Sequence, residues 1–402
     1  MIRRVWPLVA AAIALGVDAY VLAGVLPSIA DSLATTVAAV GLGVTGFTAA
    51  YALAGPSLSG TLVRGSTARA LLIALGVFNL GNLITAVAPG IEVFLASRVI
   101  AGAGAGVLTA VATAAAAAMA ADHERGRAMA MVTFGLSTGT VAGVPVGMVI
   151  GNQLNWRWTM GLVVAVGLLG MGALAVKART IPPLPASRGP AFAVLKSSRT
   201  LIGVAAAFLL GVASLGLYTY LLPMAEARGL QGWGFALVWA WGIGGVAGSA
   251  LVGRSLDAHG PRALLIVLPA ALLGSFAALW VFTSPAVWLV AAACWGAAGW
   301  AGVPVLQQAL TGDRPEQAMP VVAFQMAAMY LGSAAGAAAG SALLAGHVDP
   351  GDLPAWALVP AALALLLAGR LGIAGPRPRA RRRITHLACE AGVGRRRSRR
   401  AG

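Results

Sequence analysis

Charge is what this sequence has least of. Asp, Glu, Lys and Arg make up only 10% of its 402 residues, and only 12 residues are acidic, so it cannot build the solvated surface of an ordinary globular protein. Cysteine is almost missing. Cys294 lies in an apolar run and Cys389 in a basic tail, positions where no disulfide is expected. The four histidines, His123, His259, His347 and His386, fall between apolar runs or in the tail, and none has metal-ligand spacing to a Cys, Asp or second His, so no metal is expected. No G-x-x-x-x-G-K-[ST] stretch occurs, which removes the sequence sign of a nucleotide-driven machine. With no reactive cluster either, an enzyme is not expected, and no cofactor.

What is abundant is apolar surface: 59% of residues are hydrophobic and the mean hydropathy is +0.85. The apolar residues form runs of about 20, enough to cross a hydrocarbon core of ~30 Å as helix. The runs lie near 6–29, 37–60, 70–89, 93–117, 129–151 and 159–176, then 201–223, 233–253, 263–282, 286–309, 320–344 and 354–373. The expectation is an all-α membrane protein with twelve transmembrane helices in two six-helix bundles. Residues 1–176 form the first bundle, 177–199 a cytoplasmic linker, 200–373 the second bundle and 374–402 a basic, disordered cytoplasmic tail. The first run is longer than the apolar core of a signal peptide and more spans follow it, so it reads as an uncleaved helix.

Lys and Arg accumulate on the cytoplasmic side of membrane helices. With the N-terminus inside, the inner segments hold Arg3, Arg4, Arg64, Arg69, Arg125, Arg127, the linker cations, Arg254, Arg262, Arg314 and the tail, while the outer loops hold only Arg157 and Arg228. Both termini are therefore expected in the cytoplasm of a cell whose Ala, Gly and Arg bias suggests a bacterium. Most of the net charge of +16 sits in the tail, "GPRPRARRRITHLACEAGVGRRRSRRAG". Such a segment attracts anionic lipid, and without interleaved aromatics it does not read as a nucleic-acid site.

The two halves repeat. "GPSLSGTLVRGSTARALLIALG" (55–76) aligns with "GSALVGRSLDAHGPRALLIVLP" (248–269), pairing Gly55 with Gly248, Gly60 with Gly253 and Arg69 with Arg262. The same offset maps a glycine row in the fifth run (Gly135, Gly139, Gly143, Gly147 and Gly151, with Pro145 among them) onto Gly332, Gly336 and Gly340. Two parallel six-helix halves related by an axis along the membrane normal form an arrangement used by secondary transporters.

The motifs resemble those of the major facilitator superfamily and, within it, the twelve-helix drug:proton antiporters, and the likeness covers nearly all of residues 6–373. The family's loop motif, Gly-x-Leu-x-Asp-Arg-x-Gly-Arg-Arg, stands better in the second half, where Gly253, Arg254, Asp257, Gly260 and Arg262 match it. The first copy keeps Gly60, Leu62 and Arg69 but has Arg64 in the Asp position. The resemblance implies a loop that latches the halves in one state; a tight basic turn that only fixes topology is the plainer reading. "LASRVIAGAGAG" is similar to the fourth-helix motif and "GVDAYVLAGVLP" to the first-helix motif, and the fifth-helix row resembles the antiporter motif with Gly-Val-Pro in place of Gly-Pro.

These motifs place Arg98 and Asp18 within the membrane, where ionisable residues are costly and point to function. At ~1.5 Å per residue, Asp18 lies about 18 Å from the inner face and Arg98 about 8 Å from the outer, so they share a depth. Burial favours the neutral carboxyl and a nearby guanidinium the charged one, so changing hydration would load and unload a proton. A proton-carrying Asp18 tuned by Arg98 is one reading; a static pair joining two helices is the other. The resemblance further implies a cavity lined by Tyr20, Tyr51, Asn79, Tyr218, Tyr220, Trp295, Gln307 and Gln325. With one deep carboxylate and apolar walls, it suits a neutral or weakly cationic amphipathic molecule.

The expected function is export of a small drug or metabolite in exchange for protons, by a monomer drawing on the proton gradient. The alternatives are export of a polar metabolite such as a sugar or nucleoside, and, from another class, a membrane-embedded enzyme or a non-transporting receptor. At i, i+4 spacing the glycine rows form smooth strips, suited either to static packing or to surfaces on which the halves rock against each other.

Overall fold

The computed structural model describes residues 2–22, 25–184 and 191–374; within these, a few side chains, those of Tyr20 and Pro145 among them, lie outside the description. The tail from residue 375 onward lies outside it as well.

The described chain is helical throughout, with no strand. The first half consists of α1 (Ile2–Val21), α2 (Leu26–Ser32), α3 (Val37–Val63), α4 (Thr67–Ala86), α5 (Ile91–Met119), α6 (Arg125–Gln153) and α7 (Trp156–Lys177). The second consists of α8 (Ser198–Leu210), a π-turn at Gly211–Gly216, α9 (Leu221–Ala227), α10 (Gly234–His259), α11 (Pro261–Val281), α12 (Pro285–Thr311), α13 (Ala318–Ala345) and α14 (Leu353–Ala374). Ten of these segments are long and apolar enough to cross a membrane. With α1 and α6 packed among them, they make an all-α membrane protein of two six-helix bundles.

Local chemistry sets the helix ends. Thr36 Oγ1 accepts from Ala39 N, Ser66 Oγ from Arg69 N and Asn155 Oδ1 from Arg157 N, so three helices begin on side-chain caps. Between α10 and α11, Gly260 takes φ 73°, a left-handed conformation that stops the first helix, and Pro261 starts the second. The "HGP" of the second loop motif is thus a two-helix turn. Thr67 Oγ1 accepts from Leu184 N at 2.8 Å, and Phe192 meets Phe324 at 5.1 Å between centroids, so the connecting segment lies against both bundles.

Two expected spans are broken. The run at 6–29 ends as helix at Val21 and resumes at Leu26, with Pro27 in the first turn of the new helix, where its missing N–H costs nothing. The run at 201–223 widens into the π-turn at Gly211–Gly216. There the backbones of Met329 and Gly336 in α13 come so close to Gly211 and Gly216 that a side chain at either would collide.

The glycine rows pack inside the bundles, which differs from the expectation of a rocking surface. A methyl at Gly135, Gly139, Gly143, Gly147 or Gly151 would run into Val9, Ile13, Val17, Val21 or Val25 of the first span, residues that also recur every four positions. The small-residue strip of α6 receives a β-branched ridge. In the second half, Gly332 and Gly336 face the backbone at Phe208 and Val212, and Gly340 faces the Tyr220 ring. The physical reason is reach: a strip without side chains lets a neighbouring backbone seat against it, and in each half that neighbour is the first helix of the same bundle.

The bundles meet elsewhere. Ser137 Oγ of α6 lies 2.9 Å from Ser249 Oγ of α10, Val141 covers Gly242, and Tyr51 of α3 meets Tyr330 of α13 edge-on at 4.7 Å. At the end of the molecule carrying the α5–α6 and α10–α11 loops, here called the arginine-rich end, Asp257 Oδ1 accepts from Arg127 N at 3.1 Å, and its Oδ2 lies 3.6 Å from Arg127 Nε. Gly253 packs on the Arg127 backbone, and Gly126 sits between Asp257 and Gln308. These contacts run from the arginine-rich end to about mid-depth.

Candidate functional site

The site is built around α5. Its Gly102 and Gly106 lie against the Phe47 and Tyr51 carbonyls of α3, and Gly104 lies against Phe78 of α4. Close approach on alternate faces of one helix brings both neighbours up to Arg98. Arg98 donates from Nη1 to Asp18 Oδ1 and from Nη2 to Asp18 Oδ2, each at 3.1 Å, and from Nη1 to Asn82 Oδ1 at 2.8 Å. Its guanidinium carbon sits 4.6 Å from the centre of the Phe47 ring. Four helices therefore hold one cation: α1 by a carboxylate, α4 by an amide, α3 by a ring face and α5 by its own backbone.

Asp18 and Arg98 are 1% and 2% exposed, and among the described residues they are the only charged residues buried as a whole. Taking two such ions out of water costs several kcal/mol each, which is offset only by good geometry, and the two-pronged contact with a third hydrogen bond supplies it. The site also touches the other bundle. Tyr330 of α13 stands within electrostatic reach of Asp18 and packs on Tyr51, which in turn lies 6.4 Å from Phe47. The Tyr51 hydroxyl is buried, with the Thr109 hydroxyl of α5 beside it.

The other candidates scatter. Asn79 points its amide at Gly167 of α7 and hydrogen-bonds nothing; the asparagine at the ion pair is Asn82, one turn on, which the sequence reading missed. Tyr220 donates to the Ala337 carbonyl at the junction with α13. Tyr218 stacks on Trp241 at 4.0 Å, and Trp295 donates to Ser214 Oγ at 2.8 Å. Gln307 donates from Nε2 to Gln325 Oε1 at 3.2 Å, joining α12 to α13. Tyr20 has its backbone in α1, and its side chain lies outside the description. Of the loop-motif residues, Gly253 and Asp257 reach the other bundle, while Gly60 has open space around it.

Between α8, α10, α11, α12 and α13 lies a cavity of about 40 Å³, lined among others by Ser214, Trp241, Trp300, Gln325, Met329 and Tyr330. That is room for two or three waters, far below the ~300 Å³ and upward of a typical small-molecule site. Trp241 and Trp300 were not among the expected cavity residues; "WAWG" and "CWGAAGW" were the signal available.

Comparison with known proteins agrees with this architecture. The model of the Major Facilitator Superfamily matches residues 8–337. An MFS-type transporter of Bacillus subtilis (strain 168), YbcL, is 30% identical over 337 residues, covering 81% of this chain and 84% of its own. A chloramphenicol resistance protein of Streptomyces lividans is 30% identical over 372 residues, covering 90% and 94%. Among solved structures, the human organic anion transporter MFSD10 superposes with a TM-score of 0.72 at 16% identity, covering 91% of this chain and 99% of that one.

Proposed function

This chain belongs to the Major Facilitator Superfamily, and on that premise we propose that it exports a small amphipathic compound across the bacterial cytoplasmic membrane in exchange for protons. As a member it is a multi-pass membrane transporter of small molecules; direction, coupling and substrate are our reading. The observation that carries it is the Asp18–Arg98 pair, the one buried ion pair among the described residues, placed where the first bundle touches Tyr330 of the second.

Protonating Asp18 removes one charge of the pair and with it the strength of both hydrogen bonds from Arg98, while Asn82 and Phe47 keep the guanidinium in place. The proton-loaded state frees α1 from α5 electrostatically, and the deprotonated state ties them together. A carrier alternates when such a switch biases one of two arrangements of its halves. The Lys and Arg distribution supports placing the arginine-rich end in the cytoplasm. The contact of Asp257 with Arg127 then closes that side, and Asp257 takes over the latch that the first loop copy, with Arg64, lacks. The basic tail is read as a contact for anionic lipid.

The similarity to a chloramphenicol resistance protein supports a drug or drug-like metabolite as cargo. The test is a susceptibility and efflux panel in a host deleted for its own pumps, with and without a proton uncoupler. Uncoupler-sensitive efflux of at least one compound is expected; unchanged susceptibility and accumulation for every compound would contradict export of drugs.

A further inference from the structure

The groups that hold the ion pair all belong to its own bundle. Arg98 lies on α5, Asn82 on α4 and Phe47 on α3, and the Tyr51 hydroxyl of α3 has Thr109 of α5 beside it. The other two helices packed on α1, α6 and α7, carry titratable side chains only at their ends, Arg125, Arg127, Arg157 and Lys177. When the bundles rock as bodies, these groups travel with Asp18 and hold it alike in both arrangements. For a proton on Asp18 to bias the bundles, a group of the second bundle must interact differently with its two forms.

The second bundle supplies that group on α13. Met319, Val322, Met326 and Tyr330 recur every three to four positions, and all four pack against the core of the first bundle. The row starts near the arginine-rich end, and its last member, Tyr330, meets Tyr51 edge-on at 4.7 Å. Three members are apolar. Tyr330 is the only titratable side chain that α13 carries, and it stands within electrostatic reach of Asp18. It also lines the cavity of the second bundle, which places it between the two interiors.

We propose that Tyr330 is the positioning residue through which the proton on Asp18 acts on the second bundle, its hydroxyl drawn to the charged carboxylate and released by the protonated one. A hydroxyl donates to an ionised acceptor about twice as strongly as to a neutral one. Charged Asp18 therefore holds α13 against the first bundle and keeps the arginine-rich end shut. Protonated Asp18 loosens the row and favours parting of the bundles at that end. This inference rests on the reading of Asp18 as proton carrier and adds the residue that joins the proton to the movement.

The test needs no cargo. Spin labels are placed at Arg64→Cys and Ala258→Cys, exposed positions beside the α3–α4 and α10–α11 turns, in full-length protein in nanodiscs with Cys294 and Cys389 replaced by Ser. Double electron–electron resonance reads the label separation at about pH 8 and about pH 5. The ratio of separated to closed molecules is expected to rise about three- to tenfold on acidification. Asp18→Asn removes most of that rise, and whatever Asp257 adds by its own titration at the arginine-rich end survives in this variant and is subtracted. Tyr330→Phe, which keeps the ring and lacks the hydroxyl, cuts the remaining rise to less than about twofold. Met326→Leu, a change in the apolar part of the same row, keeps it. A Tyr330 that only fills space would instead shift the ratio equally at both pH values in Tyr330→Phe, and that result, or a full wild-type rise, would overturn the proposal while leaving Asp18 as proton carrier. So would a wild type with no rise, a fall on acidification or a full rise in Asp18→Asn; the uncoupler-sensitive efflux panel then decides the exporter reading separately.

Discussion

Gly139→Ala in α6 adds one methyl group, and the structure says it will not fit. The new Cβ would collide with the Ile13 carbonyl oxygen and stand 2.9 Å from Val17 N and 3.0 Å from Gly16 Cα. All three are backbone atoms of α1, so no rotamer change relieves the clash and the two helices must part by roughly an ångström. Overpacking of a tight core costs typically 1–3 kcal/mol, and with backbone on both sides the cost belongs at the upper end, about 3 kcal/mol. Gly147→Ala makes the contrast. Its methyl would strike Val21 Cγ2, a side-chain atom, while Val21 Cβ would be at an ordinary 3.5 Å and Thr159 Cγ2 at 3.0 Å. Val21→Ala therefore restores most of what Gly147→Ala loses, a coupling of about 1–2 kcal/mol, whereas no side-chain truncation in α1 rescues Gly139→Ala. Gly172→Ala in α7, with nothing within 4 Å, is the control and leaves stability unchanged or slightly raised. The assay is the thermal midpoint of the purified variants by fluorescence-detected size exclusion. A Gly139→Ala protein as stable as wild type, or a Gly147→Ala protein that Val21→Ala does not rescue, would refute the packing argument.

Two further outcomes can be measured. Asn82→Ala removes the third hydrogen bond to a buried guanidinium and is expected to lower stability by about 1–3 kcal/mol, read as the same thermal midpoint; Asn79→Ala, whose amide hydrogen-bonds nothing, is expected to cost less, and the reverse order would misplace the pair. Asp257→Ala removes the carboxylate that caps Arg127 N across the bundles. A single cysteine at the buried interface position Ala130, in a background with Cys294 and Cys389 replaced by Ser, is expected to react with a thiol reagent about fivefold faster or more, and an unchanged rate would contradict the latch.

Helix number and the shared depth of Asp18 and Arg98 were legible because scarcity made them so: in a chain with so few charges, each one located a loop or a site. What the sequence hid was rotation and partner. Asn79 and Asn82 lie on one helix, and only the packed orientation of α4 shows which faces Arg98. The glycine row of α6 showed a smooth strip but not what lies on it. The answer was present as a second row, Val9, Ile13, Val17 and Val21, with the same spacing in the first span. The breaks near Val25 and at Gly211–Gly216 escaped notice because glycine and proline are too frequent here to mark any one of them.

The central claim is that Asp18 carries the coupled proton. Proteoliposomes holding wild type or Asp18→Asn, loaded with a compound exported in the efflux panel, test it with two readings: transport driven by an imposed pH gradient, and counterflow exchange, which needs no net proton movement. The prediction is that Asp18→Asn retains counterflow but loses gradient-driven accumulation; full gradient-driven transport by the mutant would contradict it.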